Sequence, residues 1–115
     1  MQNETPLFQK AFDFYKFYWQ IADHFPKKSR FVLAERIERK IMDLLEIVLR
    51  LSYSSREEKI AGLKTASQIT DSLKILFRLC FEIKIIDQKK YFSSEEKLIE
   101  IGKMIGGWLK SANRL

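Results

Sequence analysis

Residues 30–53 read RFVLAERIERKIMDLLEIVLRLSY, and the apolar positions of this stretch decide the fold. They recur every three or four residues, which is the spacing of one face of an α-helix. Charged residues fill the positions between them, so the helix must bury its apolar face against other helices. Ser29 precedes the stretch and can cap it. The face consists of Leu33, Ile37, Ile41, Leu44, Val48 and Leu51.

The chain before this stretch predicts a first helix over residues 6–25. Thr5 can serve as its N-cap, and Pro6 suits the first helical position. Pro26 ends it, because proline has no backbone N–H and restricts the residue before it.

Two further helices are predicted after the stretch, over residues 56–86 and 94–111. Ser55 with Glu58, and Ser93 with Glu96, each have the spacing of a capping box, in which two free backbone donors at a helix N-terminus are satisfied. A length of 115 residues fits a single domain, residues 1–115. Short connections between amphipathic helices make neighbours antiparallel. We therefore predict an all-α, up-down-up-down antiparallel four-helix bundle.

The composition points to a binding protein of a reducing compartment. The net charge is +6 and the pI is about 9.5, which favours polyanionic partners. Cys80 is the only cysteine, so no internal disulfide can form. The N-terminus lacks an apolar signal-peptide core and no segment is apolar enough to span a membrane. We expect a cytoplasmic protein that does not enter a membrane.

Residues suited to catalysis are scarce. His24 is the only histidine, and its position near the end of the first helix favours a surface or capping role. Cys80 lies on an apolar face and is expected to be an inert buried thiol. One histidine and one cysteine do not supply a zinc site, and the sequence has no P-loop or dinucleotide-binding fingerprint. We predict no enzyme activity, no cofactor and no metal.

Two features exceed what a solitary bundle needs. The first helix carries two aromatic stripes side by side, one through Phe8, Phe12 and Trp19 and the other through Phe14 and Tyr18. The last helix contains glycines in its interior, where each costs about 1 kcal/mol relative to alanine. Close packing against another copy would offset that cost. The residues predicted to pack in an oligomer are Phe14, Tyr18, Gly102, Gly106 and Trp108.

Several stretches resemble the accessory variability determinant (Avd) family of diversity-generating retroelements. They are FPKKSRF at 25–31, ERI at 35–37, DLLE at 43–46, LFRLC at 76–80 and IGKMIGGWLKS at 101–111, the last being the most specific. The aromatic first helix fits as well. A related family encoded in ribosomal-RNA intervening sequences shares the fold, but its usual Asn-Ile-Ala-Glu-Gly stretch is replaced by LSYS at 51–54, which favours the retroelement family.

The resemblance implies a basic homopentamer that binds the retroelement's reverse transcriptase and RNA or DNA, and thereby supports mutagenic cDNA synthesis and retrohoming. Contact with nucleic acid would be made mainly to phosphates. An alternative is a structural or regulatory bundle that binds a protein partner without nucleic acid. The candidates for contact with nucleic acid or the reverse transcriptase are Arg36, Arg39, Lys40, Arg50, Lys74 and Arg78. Lys27, Lys28, Lys89 and Lys90 form further basic clusters in the predicted loops.

Overall fold

A computed structural model describes residues 5–114, which form four long helices and contain no β-strand. The helices are α1 (Pro6–Ala22), α2 (Glu35–Leu51), α3 (Arg56–Glu82) and α4 (Gln88–Ala112). α1 packs against α2 and α4, α2 packs against α3, and α3 packs against α4. The all-α class and the four predicted helices are thus confirmed. None of the helices within residues 5–114 has the length and apolar content to cross a lipid bilayer.

The start of α1 matches the prediction, while its end does not. The Thr5 hydroxyl accepts a hydrogen bond from the Phe8 amide at 3.0 Å, and Pro6 takes the first helical position. The helix ends at Ala22, three residues before the predicted end at Phe25. Pro26 disfavours helical backbone at Phe25, whose buried ring instead packs edge-on against Tyr18.

The connection from α1 to α2 is helical almost from its beginning. Lys27–Ser29 form one helical turn, and the π-helix Arg30–Ala34 leads directly into α2. The prediction that Ser29 caps this helix is wrong, because its hydroxyl donates to the Pro26 carbonyl at 3.0 Å. A π-helix shifts the hydrogen-bonding register of the backbone. At its last residue, the carbonyl of Ala34 accepts a hydrogen bond from the Tyr18 hydroxyl.

α3 begins as predicted and ends four residues before the predicted Ile86. Ser55 and Glu58 form the complete capping box. After Glu82 the chain turns sharply at Lys84, whose φ of 67° is left-handed. The amides of Ile85 and Ile86 both donate to the Cys80 carbonyl, which closes the helix end.

The predicted start of α4 at Ser94 is wrong by about two turns. Asp87 caps the helix by accepting from the Lys90 amide at 2.8 Å, so α4 begins at Gln88. Ser93 therefore lies inside the helix, where its hydroxyl contacts the Lys97 ammonium at 3.0 Å. Ser94 is buried and donates to the Tyr91 carbonyl at 2.7 Å.

The core is centred on aromatic contacts between α1 and α3. The rings of Phe14 and Tyr18 both meet Phe77 edge-on, at centroid distances of 5.6 and 6.2 Å. Aliphatic side chains of α2 and α4 surround them. Every buried side-chain nitrogen and oxygen among the described residues has a hydrogen-bond partner. The interior is therefore complete, and functional features must be sought on the surface.

Candidate nucleic-acid and assembly surfaces

The structure divides the six predicted basic residues between two regions of the bundle. Arg36, Arg39, Lys40 and Arg50 lie along α2. Lys74 and Arg78 lie on α3 and face α4: the Lys74 ammonium lies 3.8 Å from where a Cβ on Gly102 would stand, and Arg78 acts electrostatically on Tyr91. The six residues therefore do not form one continuous patch.

Four of these six residues are paired with carboxylates of their own helices. The nitrogen–oxygen distances run from 2.8 to 3.8 Å, with Arg78–Glu82 the shortest. The pair with Glu82 raises the pKa of Arg78 by a hydrogen bond and by direct attraction. Exposed pairs of this kind contribute between 0 and about 1 kcal/mol each, so a phosphate can displace them at low cost. The other three pairs are Arg39–Glu35, Arg50–Glu46 and Lys74–Asp71.

Arg36 and Lys40 are different, because neither forms a salt bridge with a carboxylate of residues 5–114. They lie four residues apart, so they project from the same side of α2. Their positive charges remain available to a phosphate without the loss of an internal ion pair. They are the strongest members of the predicted set.

One end of the bundle carries further cations, some of which belong to the basic clusters of the sequence and were not predicted as sites. Lys27 and Lys28 lie in the turn after Pro26, and Lys84 and Lys89 lie in or beside the connection from α3 to α4. None of these four forms a salt bridge in the part of the chain that the structure describes. The two connections are neighbours, because His24 and Lys84 line the same surface cavity of about 490 Å³.

Lys84 is the residue that sequence reasoning missed. Its left-handed backbone costs a side chain with a Cβ roughly 1 kcal/mol, which glycine would avoid. The only sequence signal was its place just beyond the apolar face of α3. At this position the chain carries a lysine where glycine would be less costly, and the lysine adds a cation to the basic end.

Arg30 also lies at the basic end of the bundle, but its role is structural. Its guanidinium donates to the carbonyls of Asp23 and Phe25, at 3.0 and 3.3 Å. These bonds fasten the chain after α1 to the π-helix. Arg30 is therefore held by the fold, in contrast to the neighbouring Lys27 and Lys28.

The residues predicted to pack in an oligomer have separate locations. Phe14 and Tyr18 are each only 1% exposed, so they fill the core of the subunit and are not available to a second copy. This part of the prediction requires correction: α2, α3 and α4 enclose that stripe. Gly106 has open space around its Cβ position, and Trp108 is half-buried with Lys59 over its ring at 5.9 Å.

Gly62 is the glycine that permits close approach within the subunit. A Cβ at this position would stand 2.9 Å from Leu51 and 3.6 Å from Ile47. The absence of a Cβ lets α2 and α3 approach closely here. The glycines of α4 have no such internal role, because a Cβ on Gly102 would meet only the Lys74 ammonium at 3.8 Å.

The outer aromatic stripe of α1 borders a groove between α1 and α2 with a volume of about 520 Å³. Trp19 lies on its rim with 59% of its surface exposed, stacked on Tyr15 at a centroid distance of 6.3 Å. The Tyr15 hydroxyl donates to Glu38 at 3.3 Å, and burial together with this carboxylate raises the pKa of Tyr15. Met42 lies on the α2 side. The groove thus combines a large exposed aromatic ring with nearby carboxylates.

The two residues with catalytic potential differ in exposure. His24 is exposed in the turn after α1. Cys80 is fully buried, and burial raises the pKa of its thiol to about 11, which keeps it protonated at neutral pH. Residues 5–114 contain no group of three or more His, Cys, Asp or Glu side chains placed to hold a metal ion.

Comparison with known proteins supplies the family. No curated relative and no solved structure shows significant similarity to the chain. A family model described as bAvd-like matches residues 7–112, which is nearly all of the sequence and includes all four helices except the first residue of α1. The resemblance seen in the motifs is therefore confirmed: this chain belongs to the bAvd-like family.

Proposed function

We propose that this protein is a non-catalytic accessory factor of a diversity-generating retroelement. In this role it binds the element's reverse transcriptase and its RNA or DNA, and it supports mutagenic cDNA synthesis and retrohoming. The observation that carries the proposal is the bAvd-like family match over residues 7–112. The net charge of +6 and the cations without internal partners agree with it.

The nucleic-acid contact is proposed to centre on Arg36 and Lys40, with Lys27 and Lys28 nearby in sequence. Binding to a phosphate chain releases counterions, so the affinity of a cationic surface falls steeply with salt. The remaining predicted residues, which are paired within their helices, would contribute after exchange of a carboxylate for a phosphate. Sequence preference would be weak, because phosphates carry no base information.

A salt titration of RNA binding tests this proposal. The variant R36Q/K40Q removes two cations, so the slope of log affinity against log salt should fall by about 1.4 for a single strand. The matched control is K64Q/K103Q, which removes two exposed lysines from α3 and α4. Equal slopes for both double variants would show that only net charge matters. No binding of RNA or DNA by the wild-type protein at about 50 mM salt would refute the nucleic-acid role.

The partner and the assembly are part of the same proposal. The cytoplasmic reverse transcriptase encoded in the same element should co-purify with this protein, and a lack of association at low salt would contradict the proposed partnership. We also propose a homo-oligomer, with five subunits as the resemblance implies. The mass in solution, measured by light scattering with and without RNA, tests this number.

The helix directions are proposed to alternate in the up-down-up-down order. Two cross-helix pairs that join α1 to α2 support this order: Tyr15 with Glu38, and Tyr18 with Ala34, because the partner's number falls as the residue number rises. The contacts of Arg56 with Ala112 and of Phe81 with Tyr91 follow the same rule between α3 and α4.

A second candidate function is a helical bundle that binds a protein partner and no nucleic acid. The exposed Trp19 beside a carboxylate-rich groove favours it, since such a surface repels phosphates. The salt titration separates the two, because this alternative predicts no affinity for RNA at any salt concentration.

A further inference from the structure

The cavity at the basic end of the bundle has few carboxylates. It lies between the turn after α1 and the connection from α3 to α4, and its volume of about 490 Å³ is within the range of small-ligand sites. Lys84 and Lys90 line it beside a single carboxylate, that of Asp87. The cavity beside Arg36 and Lys40 contains two carboxylates, and the groove between α1 and α2 contains five. Of these three cavities, the one at the basic end therefore opposes a bound anion least.

The carboxylate of this cavity is already engaged by the start of α4. One oxygen of Asp87 accepts from the Lys90 amide at 2.8 Å, and the other lies 3.8 Å from the Lys90 ammonium. Because Asp87 caps the helix, a bound anion would be held by side chains rather than by the helix N-terminus. Lys84 forms no salt bridge with a carboxylate of residues 5–114. The exposed imidazole of His24 adds an N–H donor, so three side-chain donors line one cavity.

Apolar side chains form the rest of the lining. Ile21 and Ile86 are buried, and Phe81 and Ile85 are half-buried. The Phe81 ring stacks on Tyr91 at a centroid distance of 4.7 Å, with 5° between the ring planes. Tyr91 does not itself line the cavity, so it holds the Phe81 ring in place from another side. A fixed aromatic ring suits a ligand that has a flat ring of its own.

The backbone around the cavity is ordered before any ligand binds. The amides of Ile85 and Ile86 donate to the Cys80 carbonyl at 2.8 and 3.3 Å. The His24 amide donates to the Ile21 carbonyl at 3.1 Å. A site that is already ordered loses less conformational entropy on binding, which favours affinity.

The conformation of Lys84 is a further sign of a binding role. Its φ of 67° is left-handed, and glycine is the usual residue where a helix ends in this way. The side chain is exposed, so the packing of the core does not require a lysine here. A residue that gives up stability and places a charge in a cavity is typical of functional sites.

We propose that this cavity binds a phosphate monoester attached to a flat apolar group, as in a nucleoside 5′-monophosphate or the 5′-phosphorylated end of a nucleic-acid strand. The flat group lies against Phe81, and the phosphate is bound by Lys84, Lys90 and His24. A monoester carries a charge of about −1.5 to −2 at pH 7, so it gains more from two lysines than a phosphodiester does. The strand end rests on the nucleic-acid role proposed above, whereas the free nucleotide does not.

Calorimetric titration with adenosine 5′-monophosphate (AMP) tests the proposal. The titration is done at about 150 mM salt, where distant exposed charges are screened. AMP should bind at least about tenfold more tightly than adenosine or the methyl ester of AMP, which is a phosphodiester. Ribose 5-phosphate, which lacks the flat base, should also bind more weakly than AMP. No binding of AMP at millimolar concentration, or equal binding of AMP and its methyl ester, would overturn the inference.

Variants of Lys84 connect the affinity to the cavity. Lys84→Gln removes the cation, so the affinity for AMP should fall about tenfold. Lys84→Gly should weaken binding equally while it raises the melting temperature, because glycine adopts left-handed backbone without a Cβ. The matched control is Lys64→Gln, which removes an exposed lysine near the other end of α3 and should bind AMP like the wild type. Equal losses in Lys84→Gln and Lys64→Gln would overturn the site, since only net charge would then matter.

Nuclear magnetic resonance of the wild-type protein locates the ligand without any variant. AMP should shift the amide signals of His24, Lys84 and Ile85 and leave those of Arg36 and Lys40 in place. Shifts confined to α2 would overturn the inference.

Two single strands of the same sequence identify the source of the phosphate. A 5′-phosphorylated strand that displaces AMP, where the 5′-hydroxyl strand does not, assigns the cavity to strand ends. If neither strand competes, the ligand is the free nucleotide; equal competition by both would overturn the preference for a monoester. R36Q/K40Q should leave the affinity for AMP unchanged. Loss of AMP binding with RNA binding intact would therefore overturn this inference alone, and the reverse result would overturn the nucleic-acid role alone.

Discussion

The two aromatic stripes of α1 have opposite surroundings although they share one helix. Phe14 and Tyr18 are enclosed in the core, whereas Phe12 and Trp19 lie on the surface. Residue type and spacing do not distinguish the stripes, because both are aromatic and both follow the helical period. The surroundings do, since the other helices cover only one side of α1. The comparison teaches that the inner stripe determines stability and the outer one is free for binding.

Phe14→Ala should have the largest effect, and it tests whether the inner stripe determines stability. Phe14 contacts Phe17 and Phe77 at centroid distances of 5.7 and 5.6 Å and is buried. Its removal leaves a cavity, so the free energy of unfolding should fall by about 3–5 kcal/mol. Urea denaturation followed by circular dichroism measures the change. A loss below about 1 kcal/mol would show that Phe14 is not part of the core.

Tyr18→Phe probes the inner stripe more gently. It removes the hydroxyl that donates to the Ala34 carbonyl and leaves that carbonyl buried without this donor. The expected loss is about 1–2 kcal/mol in the free energy of unfolding. Tyr15→Phe is the control on the outer stripe, because the Tyr15 hydroxyl bonds to Glu38 in a partly exposed position. Equal losses for the two variants would contradict the distinction between the stripes.

The buried phenol of Tyr18 should make the free energy of unfolding fall at alkaline pH. Burial raises the pKa of Tyr18 above its usual value of 10.0, so the folded state holds the phenol proton more tightly than the unfolded state. This contribution to stability is fully present below pH 10 and is lost as the pH rises further. Burial likewise raises the pKa of Cys80 from 9.0 to about 11, so its contribution is lost from about pH 9 upward. Unfolding measured from pH 8 to 11 should show a smaller decline in Tyr18→Phe than in the wild type.

The helices were predictable because periodicity and capping are local properties. Thr5, Pro6 and the capping box of Ser55 were all found where the sequence placed them. Ser93 has the same spacing to Glu96 but lies inside α4, because Asp87 already caps the helix and the Tyr91 ring stacks on Phe81 at 4.7 Å. A capping pattern acts only where the preceding chain is not helical, and tertiary packing decides that.

The surfaces were less predictable, because they depend on which helices are neighbours. The sequence grouped Arg36 and Lys40 with Arg39 and Arg50. The spacing of four residues from Glu35 to Arg39 and from Glu46 to Arg50 allows ion pairs within the helix, and both pairs form. The sequence placed Phe14 and Tyr18 outside, since it could not tell which of two equivalent stripes the other helices cover. The π-helix and the left-handed backbone of Lys84 were not predicted either. They lie where the chain leaves α1 after Pro26 and where the Cys80 carbonyl closes the end of α3.

Ser55 and Ser93 test whether a capping pattern stabilises a helix only at its N-terminus. Ser55→Ala should lower the free energy of unfolding by about 1 kcal/mol, because the N-cap bond to the Glu58 amide is lost. The Ser55 backbone amide donates to the Glu58 carboxylate and lowers the pKa of Glu58; this bond remains in Ser55→Ala, so its contribution, present above the usual value of 4.5 and lost as the pH falls below it, should be lost in both proteins alike. Ser93→Ala should change stability by less than about 0.5 kcal/mol. Thermal unfolding of both variants at pH 7 and pH 3 measures the difference, and a larger cost at Ser93 would mean that α4 begins there.

Trp19→Ala, like Ser93→Ala, is expected to change stability very little, and it tests the functional role of the outer stripe. Trp19 is 59% exposed, and its ring stacks on the half-buried Tyr15 at a centroid distance of 6.3 Å. The free energy of unfolding of the isolated subunit should therefore change by less than about 0.5 kcal/mol, measured at a concentration where the wild type is monomeric. Where the protein self-assembles as proposed, the same variant should weaken that assembly, because tryptophan is a frequent anchor of protein interfaces. A large loss of subunit stability together with unchanged assembly would reverse the roles of the two stripes, since the outer ring would then belong to the fold.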